Sequence, residues 1–213
     1  DQLNLGNEKL LALALIKDST KTNYLLCHLV NTCIYSLAIG KGLGLEKPKL
    51  IELGVSGLLY DIGMIKFLDL VNQAKKLKIK EDELYYKVKN HTVTGAEILK
   101  NINGLSSIAI EVSEQHHERI DGSGYPGGLK GEAINEYAKI IGLVDVYEAM
   151  VHPRPYRDSH LPFEAIQEIL EHKQAFEYKL IKLLIERIGI FPVGSLVELS
   201  TKEIGQVTKL NYD

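Results

Sequence analysis

His28, Asp61, His91, the adjacent pair His116 and His117, and Asp145 are nitrogen and oxygen donors spread one or two at a time along the chain, and a glycine-rich stretch, Asp121-Gly122-Ser123-Gly124-Tyr125-Pro126-Gly127-Gly128, follows the histidine pair. Imidazole binds borderline metals and carboxylates can bridge two of them. Such a set without cysteine therefore suits iron, manganese, cobalt, nickel or zinc used as a Lewis acid. Tyr60 stands before Asp61, where a metal-binding His-Asp pair would carry its histidine.

Each of these residues also has a plainer reading. Adjacent helical residues diverge by about 100°, so His116 and His117 reach one metal only from a helix end or across the edges of a site; without a metal they are a capped helix end. Asp61 and Asp145 could be helix-terminal carboxylates satisfied by backbone N–H groups. His28 and His91 could be hydrogen-bonded core residues. Arg154-Pro155-Tyr156-Arg157 sets two guanidinium groups three residues apart. It reads as a phosphate clamp or as a solvated loop. The stretch His117-Glu118-Arg119-Ile120-Asp121 lacks the second histidine of HExxH, which argues against a zincin protease.

The elements that must position these groups are helical almost throughout. Ser19-Thr20 can cap a helix running to about Gly40, with Leu26, Leu29, Val30, Cys33 and Leu37 on its buried stripe. Pro48 opens a second, in which Leu50, Leu53, Gly57, Leu58 and Asp61 share a face, so Asp61 points coreward. Leu84, Val88 and His91 fall in phase, as do Leu105, Ile108, Ala109, Val112 and His116, and then Ile141, Asp145 and Glu148 in a helix starting near Glu136. Pro162 begins another helix bearing Phe163, Ile166, Ile169 and Leu170, and Phe176 to Ile188 forms the next. Beyond Gly189 the segments 191–199 and 204–210 read as a β-hairpin, while the lysine-rich stretch from Lys75 to Lys80 is a solvated connection. A buried charge left unpaired costs several kcal/mol, roughly. A shared metal would satisfy several core-facing polar groups together.

Composition narrows the classes. The chain has 213 residues, 45% of them hydrophobic, enough for one well-buried domain. A net charge of −3 gives no global positive field for a long nucleic acid. Cys27 and Cys33 are six apart, on different faces of one helix, and make neither a CxxC pair nor a disulfide framework; a reduced, cytoplasmic setting is expected. No apolar run reaches the length of a membrane span, so no membrane insertion is expected. The chain starts at Asp1 rather than Met, and an additional N-terminal regulatory domain is anticipated.

Taken together the segments from about His28 to Arg157 resemble the HD-GYP family of the HD superfamily, whose known activity is metal-dependent hydrolysis of the bacterial second messenger cyclic di-GMP. The stretch from His116 to Gly131 (HHERIDGSGYPGGLKG) is close to the family signature, and Arg154-Pro155-Tyr156-Arg157 matches its downstream motif. The resemblance implies an all-α HD-superfamily helical bundle over residues 1–190 and a small C-terminal β-hairpin extension over 191–213. It implies one or two divalent transition metals, iron first and manganese second. One would lie on Asp61, His91, His116 and His117 and the other on His28, Asp61 and Asp145, with Asp61 bridging. Asp61 and Glu148 would be the catalytic carboxylates, Gly124 and Tyr125 would line the pocket, and Arg154 and Arg157 would hold phosphate oxygens of cyclic di-GMP or a related cyclic dinucleotide.

The sequence departs from the family pattern where the chemistry would occur. Tyr60 replaces the histidine of the His-Asp pair, and a phenol with a pKa of about 10 is a poor ligand unless a ferric ion deprotonates it. Met64 replaces the lysine of Asp-x-Gly-Lys, Glu148 replaces the second aspartate of Asp-x-x-Asp, and Tyr24 stands where some members have a further acidic ligand. A divergent, slow phosphodiesterase is one expectation. The other is a catalytically inactive cyclic-dinucleotide receptor or protein-interaction module that keeps a metal site and recruits a signalling-protein partner.

Overall fold

The computed structural model describes residues 24–74, 76–154 and 158–209. The anticipated cap at Ser19-Thr20 and the residue Arg157 lie outside them. Helix α1 (Tyr24–Gly42) packs against α2 (Lys47–Leu59), which has Pro48 in its first turn, where a missing N–H costs nothing. A short 3₁₀ turn (Ile62–Lys66) and α3 (Leu68–Gln73) follow, then α4 (Glu81–Val88), α5 (His91–Lys100) and α6 (Ser107–Gln115). The long central helix α7 (Glu136–Val151) touches α1, α6 and α8 (Pro162–Glu171), and α9 (Tyr178–Ile188) closes the bundle against α1, α7 and α8. Among the described residues no helix is long and apolar enough to cross a membrane. The two cysteines are free thiols.

Local chemistry sets the helix starts. The Ser106 hydroxyl accepts from the Ile108 N–H, the Asn135 side-chain oxygen accepts from the Tyr137 N–H, and the Glu164 carboxylate reaches back to the Leu161 N–H at 2.8 Å. Helix α9 is strongly amphipathic, burying Leu180, Ile181, Leu184 and Ile188. At the C-terminus β1 (Leu196–Glu198) pairs antiparallel with β2 (Ile204–Gln206), Val197 opposite Gly205. The ladder is shorter than the segments expected from sequence.

Four expectations are corrected. Leu26 and Val30 are 63% and 48% exposed rather than buried, because α1 turns Leu25, His28, Leu29, Thr32 and Tyr35 inward. The phase shared by Leu84, Val88 and His91 is not one helix: the chain breaks at Lys89-Asn90 and His91 opens α5. Phe163 and Leu170 are exposed, with Phe163 stacked on Phe191 at 6.3 Å. Helix α9 begins at Tyr178, after a 3₁₀ turn, not at Phe176.

Two close backbone approaches lock the site-bearing elements together. A Cβ on Gly63 would collide with the His91 carbonyl oxygen, and one on Gly142 would collide with the His116 carbonyl oxygen. The 3₁₀ turn is thereby seated on the start of α5, and α7 on the end of α6. Gly142→Ala should cost about 2 kcal/mol or more through overpacking, a fall in Tm of roughly 4–8 °C for a domain of this size. Thermal denaturation checks this, and an unchanged Tm would mean that α6 and α7 are not this close.

Candidate metal centre

Asp61 follows α2 at the entry to the 3₁₀ turn, and its backbone is pinned by the Ser113 hydroxyl, which donates to the Tyr60 carbonyl at 2.7 Å. His91 is the first residue of α5. Its Nδ1–H donates to the Val88 carbonyl at 2.7 Å, one of the acceptors that the end of α4 leaves without a helical partner. His116 caps α6 and its Nδ1–H donates to the Ser113 carbonyl at 2.9 Å. His117 comes one residue later, so the pair does sit at a helix end.

These bonds fix the tautomers. With Nδ1–H committed in both rings, the two Nε2 atoms face one another at 3.2 Å, and as neutral imidazoles the rings present lone pairs there. Two acceptors at that distance repel unless a cation lies between them. Burial, with His91 beside it, pulls the His116 pKa down to about 3, so His116 is a neutral imidazole near neutral pH, with its one proton on Nδ1. Burial first and then His116 likewise press His117 well below the usual range. Asp61 Oδ1 lies 3.3 Å from His91 Nε2 and is a buried oxygen with no hydrogen bond. Burial raises the Asp61 pKa to about 6 against the pull of His91 and His28. Ligand atoms of His91, His116 and His117 lie within 4.8 Å of one another. Imidazoles with backbone-bound Nδ1 and a buried carboxylate oxygen that has no hydrogen bond fit a transition metal.

His28, Asp145 and Tyr60 form a second group. His28 Nε2 is 2.8 Å from Asp145 Oδ1, and the Tyr60 hydroxyl donates to the same oxygen at 2.7 Å while lying 2.6 Å from His28 Nε2. The Tyr60 ring is a wedge between the two groups, edge-on to His116 at 4.8 Å and to His28 at 5.9 Å. Glu148 lies behind His28: its carboxylate pairs with His28 Nδ1 and accepts from Asn31 at 3.0 Å, with His152 Nδ1 at 3.2 Å. Burial and the Arg154 guanidinium both work against a charge on His28, yet Glu148 and Asp145 outweigh them and hold its pKa at about 9. The extra methylene of Glu148 turns its carboxylate onto the back of the imidazole.

Both groups open into a cavity of about 600 Å³, within the range of small-molecule sites. Tyr24, Met64, Gly124, Tyr125 and Arg154 line it, along with Tyr85, Arg119 and Phe176, which sequence reasoning did not single out. The glycine loop is held by the buried Glu118, whose carboxylate accepts from the Gly127 and Leu129 N–H groups at 2.6 and 2.9 Å. That grip lays the Tyr125 ring flat on His117, at 4.6 Å and 16°. Gly122 and Gly128 take positive φ, whereas Gly124 and Gly127 do not. The Arg119 guanidinium donates to the His116 and Glu118 carbonyls at 3.0 and 2.8 Å and lies over Phe176. Arginine two residues after a helix-end histidine, able to fold back over the same pocket, was the available signal.

A sequence model of the HD domain matches residues 11–179. The chain belongs to the HD-domain family, as a member of its HD-GYP branch. It is 35% identical over 196 residues to a cyclic di-GMP phosphodiesterase of Pseudomonas aeruginosa, covering 92% of this chain and 47% of that protein. It is 31% identical over 172 residues to a 3'3'-cGAMP-specific phosphodiesterase of Vibrio cholerae, covering 79% of this chain and 39% of that protein. The chain thus spans about half the length or less of these curated relatives. Its fold matches that of an HDG"Y"P protein of Bdellovibrio bacteriovorus with a TM-score of 0.68 at 22% identity, over 83% of this chain and 56% of that one.

Metal at about 100 times its dissociation constant stabilises a folded protein by about 2.7 kcal/mol. Ferrous iron or manganese should raise the Tm of the native chain correspondingly and leave that of His116→Ala unmoved. Equal shifts in both would remove His116 from the ligand set.

Proposed function

We propose that this HD-GYP chain hydrolyses cyclic di-GMP or a closely related cyclic dinucleotide in a metal-dependent reaction. The observation that carries this reading is the convergence of Asp61 Oδ1, which has no hydrogen bond, with the facing Nε2 atoms of His91 and His116 beside a cavity that also presents Arg119 and Arg154. The names of the relatives favour hydrolysis over a receptor role. Donors of nitrogen and oxygen alone suit iron, with manganese second. A metal bound there lowers the pKa of water and offsets charge on phosphoryl oxygens.

The chain's own residues would do the rest. Arg154 and Arg119 stand on the cavity wall as cations for the two phosphates of the ring, and Arg157, three residues beyond Arg154, is assigned to the same task. Tyr85, Tyr125 and Phe176 offer flat faces on which bases can stack. Asp61 is the carboxylate nearest the reaction. Glu148 is assigned a positioning role, holding His28 by Nδ1. Hydrolysis of a diffusible messenger puts the work in the cytoplasm, where a signalling-protein partner would respond to it.

Loss of a charge-assisted contact to phosphate is worth about 1.5–3 kcal/mol. Arg154→Ala should therefore lower kcat/KM for cyclic di-GMP by roughly 10- to 100-fold, while Lys202→Ala, on the exposed hairpin, should not change it. The check is hydrolysis by metal-loaded protein. No turnover of either cyclic di-GMP or 3'3'-cGAMP by the native chain would overturn the reading.

A further inference from the structure

The two halves of the site give opposite answers when asked whether a cation belongs there. Around His91 and His116, lone pairs face each other and Asp61 Oδ1 has no hydrogen bond. Around His28, both ring nitrogens already have protein partners. Both ring nitrogens face a carboxylate oxygen, Glu148 at Nδ1 and Asp145 at Nε2, so both positions from which the ring could hold a metal are already taken up by protein partners. The Tyr60 hydroxyl fills the remaining position, donating to Asp145 Oδ1.

Charge points the same way. An Arg154 guanidinium nitrogen lies 3.2 and 3.3 Å from the two ring nitrogens of His28 and 3.6 Å from Glu148 Oε2. Asp145 and Glu148 both face His28, and Glu148 also faces the Arg154 guanidinium. A divalent cation placed between His28 and Asp145 would have to displace the Tyr60 hydroxyl from Asp145 Oδ1 and would sit next to the Arg154 guanidinium.

We propose that Tyr60 closes the second metal position of this centre, so that the chain carries one metal, held by Asp61, His91, His116 and His117. The inference rests on the HD-GYP reading of the site and deepens it. Tyr60 does more than omit a ligand. Its hydroxyl ties off Asp145 and its ring, fully buried between His28 and His116, separates the two halves. The second cation found opposite the substrate would then be the Arg154 guanidinium, paired with His28 and Glu148, and not a metal.

The test is metal content of the purified chain reconstituted with excess ferrous iron without oxygen, followed by oxidation and a visible spectrum. The native chain should hold one iron and show no phenolate-to-ferric absorption. Tyr60→His should rise to two, and His28→Ala should stay at one, which keeps the test decisive if Tyr60→His does not fold. Two irons in the native chain, a fall below one in His28→Ala, or a visible band that vanishes in Tyr60→Phe would each overturn the inference, the last by making Tyr60 a ligand. A folded Tyr60→His that still holds one iron would overturn it as well. No iron at all would contradict the metal reading beneath it. Two irons would contradict this inference alone and leave that reading standing.

Discussion

Two neutral imidazoles that each donate Nδ1–H to a backbone carbonyl have only lone pairs to offer one another at Nε2, and in this bundle those atoms are held face to face. That conflict between His91 and His116 is the constraint on which the rest of the site depends. It is created by ordinary helix-end chemistry: the carbonyl left over at Val88 and that of Ser113, in the last turn of α6, each take an imidazole N–H. Helix ends converge there because Gly63 and Gly142 let backbone touch backbone. The orphaned Asp61 oxygen adds the negative charge that makes a cation the matching partner.

Around that centre the structure divides its electrostatics unevenly. One side has neutral, desolvated donors and an unpaired carboxylate oxygen. The other has a closed cluster in which Asp145 and Glu148 face His28, Arg154 lies beside it and Tyr60 seals the seam. The cavity runs across both, so a ligand with two separated phosphates would meet unlike surroundings at its two ends. Glu118 and the glycine loop add a third piece: by tethering the Gly127 and Leu129 amides, a buried carboxylate places Tyr125 over His117.

Much of this was legible in the chain itself. The helix-end placement of the histidine pair follows from the apolar stripe that stops at His116, and the coreward phase of Asp61 follows from counting along α2. The hairpin announced itself by a change of character after Gly189. Other features were not legible, for physical reasons. Apolar phase continues unbroken from Leu84 to His91, so nothing in the pattern marks the break at Lys89-Asn90 that frees the Val88 carbonyl. Leu26 and Val30 fit a buried stripe by hydrophobicity, but His28 and Thr32 took the inner face of α1 because the polar site lies there. A glutamate for an aspartate at 148 reads as a shift of one methylene, whereas folding turns it to the back of His28. Arg119 is hidden inside a motif and is recognised only once its side chain is seen over Phe176.

The most direct measurement is an anomalous-difference map from crystals grown with manganese or iron and collected on the corresponding absorption edge. The account predicts a peak bounded by Asp61 Oδ1, the Nε2 atoms of His91 and His116, and the His117 ring. A map with no peak among those atoms, or with its only strong peak between His28 and Asp145, would contradict it.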